Sequence, residues 1–362
     1  MSYANLDQSS AKAQSLTVAA LMPCLNEELS VDTTFKMVFG GTRVPDEVIV
    51  ADGGSTDGTL EKVKAWQARG FPIILIHNDR VFAGAGRNRA AANSTADVFI
   101  SMDFGNGFDA TYVEDMVAPF EKDPTVGVVA GTFQPVAQTP FERCVAVIDY
   151  TKNMLVDRLT PEERSARAPK DGQLAPGMSV AWSRSVYERT GGQPEWLRAA
   201  EDILFGHRVL ALSPHIALQP TSLVYHHMRS SLRDYFRMRM IYTMGRLRAG
   251  LFGRTYLVQL LLAIGVIGAF VLAMVWPFFW PVAALGGLGY LFKYVLRPIR
   301  RVDGGWPSPR DFAYGTGIAI ARDVAIITGT VRGLIDWWFV PHWRRRRRDY
   351  LGQPLGAPTP HD

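Results

Sequence analysis

Residues 255–275 run for 21 positions without a charged side chain, and no other stretch restricts the fold of this chain as tightly. A helix of that length reaches about 30 Å, the thickness of a bilayer's hydrocarbon core. After Trp276 and Pro277, a second apolar run over 278–296 is broken only by Lys293, near enough to its end for the ammonium to snorkel. The two runs predict a transmembrane helical hairpin over 255–296, with a very short turn and Trp276 and Trp280 at the interface. A third apolar stretch, 312–340, carries Arg322, Asp323, Arg332 and Asp336. Arg297, Arg300, Arg301 and Arg310 precede it and Arg344 to Arg348 follow. The positive-inside tendency keeps both groups on the cytosolic side. The segment 297–343 is therefore expected to form an amphipathic or re-entrant helix in the interface; the alternative is a packed third span with paired charges.

Charge divides the chain at the same place. Residues 1–235 hold 22 Lys and Arg against 28 Asp and Glu, a net −6. Residues 236–362 hold 17 against 6, a net +11. An acidic soluble domain followed by a basic, membrane-seeking part fits this split. The basic residues flank apolar runs and do not alternate with stacking aromatics, so no nucleic-acid partner is expected. Cys24 and Cys144 are too few for a disulfide scaffold or a four-cysteine zinc site. The expected divisions are a disordered tail over 1–15, an α/β domain over 16–235, an interfacial amphipathic segment over 236–254, the hairpin, the third helix, and a basic tail over 344–362. In the interfacial segment Arg237, Arg239, Arg246 and Arg248 interleave with Phe236, Met238, Met240, Ile241, Tyr242 and Met244. That mixture suits a helix on a membrane surface or a cationic lid over phosphates.

Within 16–235, short apolar runs at 16–25, 47–51, 72–76 and 97–102 alternate with helical patterns. The alternation predicts a doubly wound, mostly parallel sheet covered on both faces. Ligands in such sheets gather where strands end, and here those ends carry Asn26, Asp52 and Asp103.

Several residue groups in this domain suit chemistry. The run 52–58 (Asp-Gly-Gly-Ser-Thr-Asp-Gly) is either a plain turn or a strand-end carboxylate that accepts hydrogen bonds from a nucleobase or ribose. Residues 84–89 open a helix with small residues, Arg87 and Arg89, which suits a diphosphate; a solvated helix end is the plainer reading. Asp103 can share a divalent cation or cap a turn. Glu201 and Asp202 open a helix, either as charge favourable to its dipole or as the source of a general base for an acceptor hydroxyl. His226 and His227 are adjacent on a strand, so at most one faces the site, in a metal or diphosphate shell or simply packed.

Taken together, residues 23–27 (Pro-Cys-Leu-Asn-Glu), 50–58, 86–89, Asp103 and the Glu201-Asp202 pair resemble the motifs of family 2 glycosyltransferases with a GT-A fold, in order and spacing. Residues 103–113 and the apolar hairpin are similar to the membrane-bound, succinoglycan-type enzymes of bacterial exopolysaccharide assembly. The resemblance implies that Asp52 meets the base and ribose of a nucleoside diphosphate sugar, a UDP-sugar foremost, and that Pro23, Asn26 and Glu27 line the nucleotide site. It places Arg87 near the pyrophosphate, and Gly177, Met178 and Ser179 in the loop bordering sugar and acceptor. Asp202, beside Glu201, matches the catalytic base. Asp103 matches the first acid of an Asp-x-Asp metal motif for Mg²⁺ or Mn²⁺, whose third position is here Gly105. Asn106, His226 or His227 would have to complete such a metal site. The implied reaction is inverting hexosyl transfer to a lipid-linked saccharide at the cytoplasmic membrane, with the α/β domain in the cytosol. A membrane-bound nucleotidyltransferase and a non-catalytic scaffold of a polysaccharide assembly are the alternatives.

Overall fold

The computed structural model describes residues 15–154 and 177–355. The tail expected over 1–15, apart from Ser15, lies outside the described residues. Eight strands form one sheet: β1 (Val18–Cys24), β2 (Glu47–Asp52), β3 (Ile73–His77), β4 (Val98–Ser101), β5 (Asn106–Phe108), β6 (Val126–Val136), β7 (Val180–Ser183) and β8 (His215–His227), in the order β3-β2-β1-β4-β7-β6-β8-β5. The first four strands pair in parallel. β7 runs antiparallel to both β4 and β6, and β5 antiparallel to β8, so the expected mostly parallel sheet is a mixed one. β5 has three residues, too few to leave a periodic signal.

β1 is apolar along its whole length because both of its faces are covered. Val18, Ala20, Met22 and Cys24 meet Val31 and Phe35 of α1 (Val31–Phe39), Val63 and Trp66 of α2 (Thr59–Ala68), and Met116 of α4 (Tyr112–Lys122). Ala19 and Leu21, pointing the other way, meet Ala90 of α3 (Ala83–Ala92), Tyr187 of α6 (Arg184–Thr190) and Phe205 of α7 (Glu201–Ala211). Strand side chains alternate with period two, so one short run of Val, Ala, Leu and Met supplies two cores. β1 lies between β2 and β4, and the chain departs from it in opposite directions on the two sides. A crevice opens above the carboxyl ends of such strands.

α5 (Pro140–Tyr150), which starts in a capping box between Thr139 and Glu142, joins this domain to the helices that follow. α8 (Leu232–Arg248) does not present its arginines to a surface as a group. Arg239 turns onto Asp149 of α5, and Arg248 chelates Asp336 at 2.8 and 2.6 Å. Asp336 belongs to α12 (Pro309–Phe339), a single helix of 31 residues whose buried face includes Ile318, Arg322, Ile326, Gly329 and Gly333. The third apolar stretch is thus a seat for α8 and α5.

Between them, α9 (Arg254–Val275) is followed by a nearly unbroken helical run over Pro277–Asp303, which includes α10 (Trp280–Leu291) and α11 (Arg297–Asp303). Among the described residues that run is the one helix long and apolar enough to cross a membrane. Leu261, Ile264, Ile267, Met274, Phe278, Leu285 and Leu288 are exposed along the two helices.

The basic end of the chain is α13 (Pro341–Gly352), a helix where a tail was expected over 344–362. It docks on the α/β domain through Tyr350, which is buried against Leu197 and Leu204 and donates to the Gly192 carbonyl at 2.7 Å. Tyr350→Phe leaves that carbonyl unpaired in a dry place, and loss of one such bond costs about 1–2 kcal/mol. A lower melting temperature than wild type in detergent is the expected result.

Candidate active site

Three strand ends build the rim. After β1, Asn26 adopts a left-handed conformation with φ +56°. Its backbone N–H donates to Ser55 Oγ at 2.9 Å, and its Oδ1 accepts from the Thr56 N–H at 2.8 Å. Asp52, at the end of β2, is 4 % exposed. Its carboxylate accepts from the N–H groups of Gly54 (2.9 Å) and Ser55 (3.1 Å) and from Ser55 Oγ (2.5 Å). Asp52 therefore ties the 53–55 turn to the loop after β1. Glu27 is held by Ser30 Oγ, which donates to Oε2 at 2.6 Å; burial raises its carboxyl above the usual range against that bond, and Asp103 pushes the same way. Pro23 packs beneath α3: a Cβ on Gly86 would lie 2.8 Å from the Pro23 Cβ.

That close approach changes the reading of the glycines at 84 and 86. Gly84, Ala85, Gly86 and Arg87 are buried in the first turns of α3. A Cβ on Gly84 would lie 3.2 Å from Glu201 Cγ and 3.4 Å from Gln193 Cβ. The small residues thus seat the helix against β1 and α7, and its amino end is covered. Arg89 pairs with Asp79 at the surface.

Arg87 lies in the middle, 3 % exposed. Its Nε donates to Ser101 Oγ at 2.8 Å, its Nη2 to Asp103 Oδ1 at 2.7 Å, and its Nη1 lies 3.7 Å from Glu201 Oε1. Burial opposes its charge, but Asp103 and Glu201 more than offset this and hold its pKa above the ordinary range. One guanidinium thereby brings the acids at 103 and 201 onto one site, with Asp202 next in the chain. Burial, reinforced by Asp202, pushes the Glu201 carboxyl up to about 8 although Arg87 pulls the other way. Ala200, just before the pair, sits at φ +67°, a conformation a non-glycine residue holds only when its surroundings impose it. Asp202 is partly exposed and accepts from the Gly177 N–H at 3.2 Å and from the Ile203 N–H at 2.8 Å. Gly177 is thus beside Asp202, while Met178 packs on the core and Ser179 is fully buried near the Tyr112 hydroxyl.

The two histidines part as alternation requires. His226 Nδ1 lies 2.8 Å from Asn106 Oδ1, and burial, then Arg229, lowers its pKa to about 4; His227 is exposed. Gly105 has φ +76°, and a Cβ there would point at Glu27 Oε2, 3.7 Å away. An aspartate at 105 would be strained and would face another carboxylate, so backbone and charge both favour glycine. Among the described residues no three His, Cys, Asp or Glu side chains gather closely enough to hold an ion. Asp103 shares one oxygen with Arg87, and His226 is engaged with Asn106. The residues at this rim do not form a metal shell of their own.

Two residues on the rim were not singled out for the site from the sequence. Arg229 is exposed and, among the described residues, forms no ion pair or hydrogen bond, yet its charge acts on Glu27, His226 and Tyr242. Tyr242 of α8, shifted upward by burial, also feels Glu201, Asp202 and Asp103. The one signal for Arg229 was its place two residues beyond the histidine pair.

Residues 19–157 match the family model described as Glycosyl transferase family 2. The succinoglycan biosynthesis protein ExoA of Rhizobium meliloti is 27% identical over 147 residues, covering 40% of this chain and 44% of that protein. The O-antigen chain rhamnosyltransferase RfbN of Salmonella typhimurium is 27% identical over 202 residues, covering 54% and 62%. The chain therefore spans about half the length of these curated relatives. Among solved structures, the mannosyltransferase PcManGT of Pyrobaculum calidifontis, in complex with GDP-Man and Mn²⁺, superposes with a TM-score of 0.55 at 19% identity, covering 89% of this chain and 88% of that one. The shared fold is GT-A, and the family resemblance drawn from the motifs is borne out.

Glu201 yields a pH signature. A carboxyl raised in the folded state to about 8 from an ordinary 4.5 contributes stability that is fully present below 4.5 and is lost as pH rises through 8. Glu201→Gln keeps the shape and removes the titration. Denaturant unfolding at pH 5 and pH 8 is expected to show a smaller fall for the variant, by about 1–3 kcal/mol over the window. Parallel profiles would show that Glu201 does not hold its proton.

Proposed function

We propose that this chain, which carries a family 2 glycosyltransferase domain, moves a sugar with inversion from a nucleoside diphosphate sugar to a saccharide acceptor held at a membrane. The observation that carries the reading is the arrangement around Arg87: Asp103 and Glu201 are drawn together, and Asp202 remains partly exposed beside them.

Glu201 lies 3.7 Å from Arg87 Nη1, and burial raises its carboxyl. Asp202 is then the acid of the pair that faces outward to take a proton. Asp202 accepts the proton of an acceptor hydroxyl, that oxygen bonds to the anomeric carbon, and the bond from this carbon to the diphosphate oxygen breaks with its electron pair leaving on the diphosphate. One displacement inverts the anomeric centre. Arg229, exposed on the rim, is suited to meet the charge that develops on the leaving group, since Arg87 is committed to the two carboxylates. Pro23, Asn26, Glu27 and Asp52 shape the nucleotide side, with a UDP-sugar as the foremost donor, and Gly177 borders the acceptor side. If a Mg²⁺ or Mn²⁺ ion enters with the donor, Asp103 is the carboxylate placed to share it with the phosphates.

The membrane side of the reading rests on the exposed apolar surface of α9 and the 277–303 run, which needs an apolar solvent. Arginines at 297, 300 and 301 and at 344–348 favour the cytosolic side of a cytoplasmic membrane for the α/β domain. An acceptor carried on a lipid meets such an enzyme at that surface.

Asp202→Asn preserves size and removes the base. Transfer is expected to fall by about two to four orders of magnitude with donor binding within a few-fold of wild type. Near-normal turnover would remove Asp202 from this role. The released product, followed chromatographically, is expected to be a nucleoside diphosphate; pyrophosphate would mark a nucleotidyltransferase, and no turnover in wild type a scaffold.

A further inference from the structure

A second cationic site lies where the apolar helices meet the α/β domain. The helical run 277–303 contains one π turn, Phe292–Leu296, directly before α11. Such turns reset the phase of a helix and often mark a site of function. Lys293, Arg297 and Arg301 follow at intervals of four, on one face. They line a cavity of about 390 Å³ whose opposite wall is the end of α5 with Tyr150 and Lys152. All four cations are exposed, and none has an ion pair or hydrogen bond among the described residues. The cavity's one carboxylate, Asp149, is turned away: it is 3 % exposed, accepts from the Tyr235 hydroxyl at 2.8 Å and lies 3.6 Å from Arg239 Nε.

Four like charges around one hollow repel each other, and among the described residues lining it no side chain of opposite sign is free to balance them. An anion carrying more than one charge suits the hollow best. Its position specifies the anion further, because Leu285 and Leu288, both exposed, lie on the same helical run just before it. A ligand with a charged head in the hollow and an apolar tail along these leucines matches both surfaces.

We propose that this cavity holds the phosphate or diphosphate headgroup of a lipid. Tyr150, which lines it, meets Phe133 edge-on at 5.6 Å, and Phe133 meets His226 at 6.1 Å. His226 is bonded to Asn106, three residues from Asp103. A headgroup in the hollow therefore lies two side-chain layers from the rim, and a saccharide attached to it is then the acceptor. This last step rests on the transferase reading above; binding of the headgroup does not.

The test is binding by the full chain in neutral detergent, titrated separately with phosphatidic acid, a long-chain isoprenyl diphosphate and inorganic pyrophosphate. Both lipids are expected to bind more tightly than pyrophosphate, and the tighter of the two identifies the source of the headgroup. Arg297→Gln combined with Arg301→Gln is expected to weaken lipid binding about tenfold or more, as is Lys152→Gln combined with Lys293→Gln. Arg345→Gln combined with Arg346→Gln, which removes two charges from α13, is expected to leave it within twofold. Unchanged binding in both cavity variants overturns the proposal, as does an equal loss in the α13 variant, which would mean unspecific attraction to basic surface. Pyrophosphate binding as tightly as either lipid overturns the lipid assignment. None of these results depends on turnover, so failure here leaves the transferase reading standing, and an inactive enzyme leaves this one standing.

Discussion

A guanidinium removed from water is costly unless charge surrounds it, and the site of this protein is organised by meeting that requirement. Arg87 has two carboxylates and a hydroxyl within reach, from β4, the turn after it and the start of α7. Without it, Asp103, Glu201 and Asp202 would repel one another across a crevice of low dielectric. With it, one acid is ion-paired, one lies against the same guanidinium with its carboxyl shifted upward, and one is partly exposed and bonded to the Gly177 N–H. Division of labour among neighbouring carboxylates depends on such differences of environment. The glycines at 84 and 86 serve the same end by letting α3 come close enough to deliver Arg87.

Much of the fold was legible in the sequence because its signals are local. Runs such as Val48-Ile49-Val50 and Phe99-Ile100 are apolar on both faces only where both faces are covered, and the acids at their ends mark the crevice. Arg87 was legible as important and illegible as to role. Small residues at a helix start suit a phosphate and suit close packing equally well, and what separates the two is contact with Pro23, Gln193 and Glu201, the last two more than 100 positions along the chain. Gly105 is a similar case. It reads as a missing ligand until its positive φ and the neighbouring Glu27 give it a reason of its own.

The helices after residue 231 were harder to read, because composition reports how greasy a segment is and not what covers it. Arginines interleaved with apolar residues over 236–254 carry the signature of a surface helix. Two of them instead point inward, each onto an acid supplied by a distant helix, Asp149 and Asp336. Pairing of this kind lets a charged helix pack as an interior one. Arg322, beside Asp323 with Tyr290 donating to that aspartate, repeats the device within the 309–339 helix.

The buried foot of Tyr350 has a consequence for topology. The polypeptide leaves the α/β domain after α8 and is fastened to it again by α13, so both ends of the helical excursion lie on one side of whatever it traverses. Passages through any sheet of lipid between those two points must come in pairs. A third crossing added to two would tear α13 from its socket.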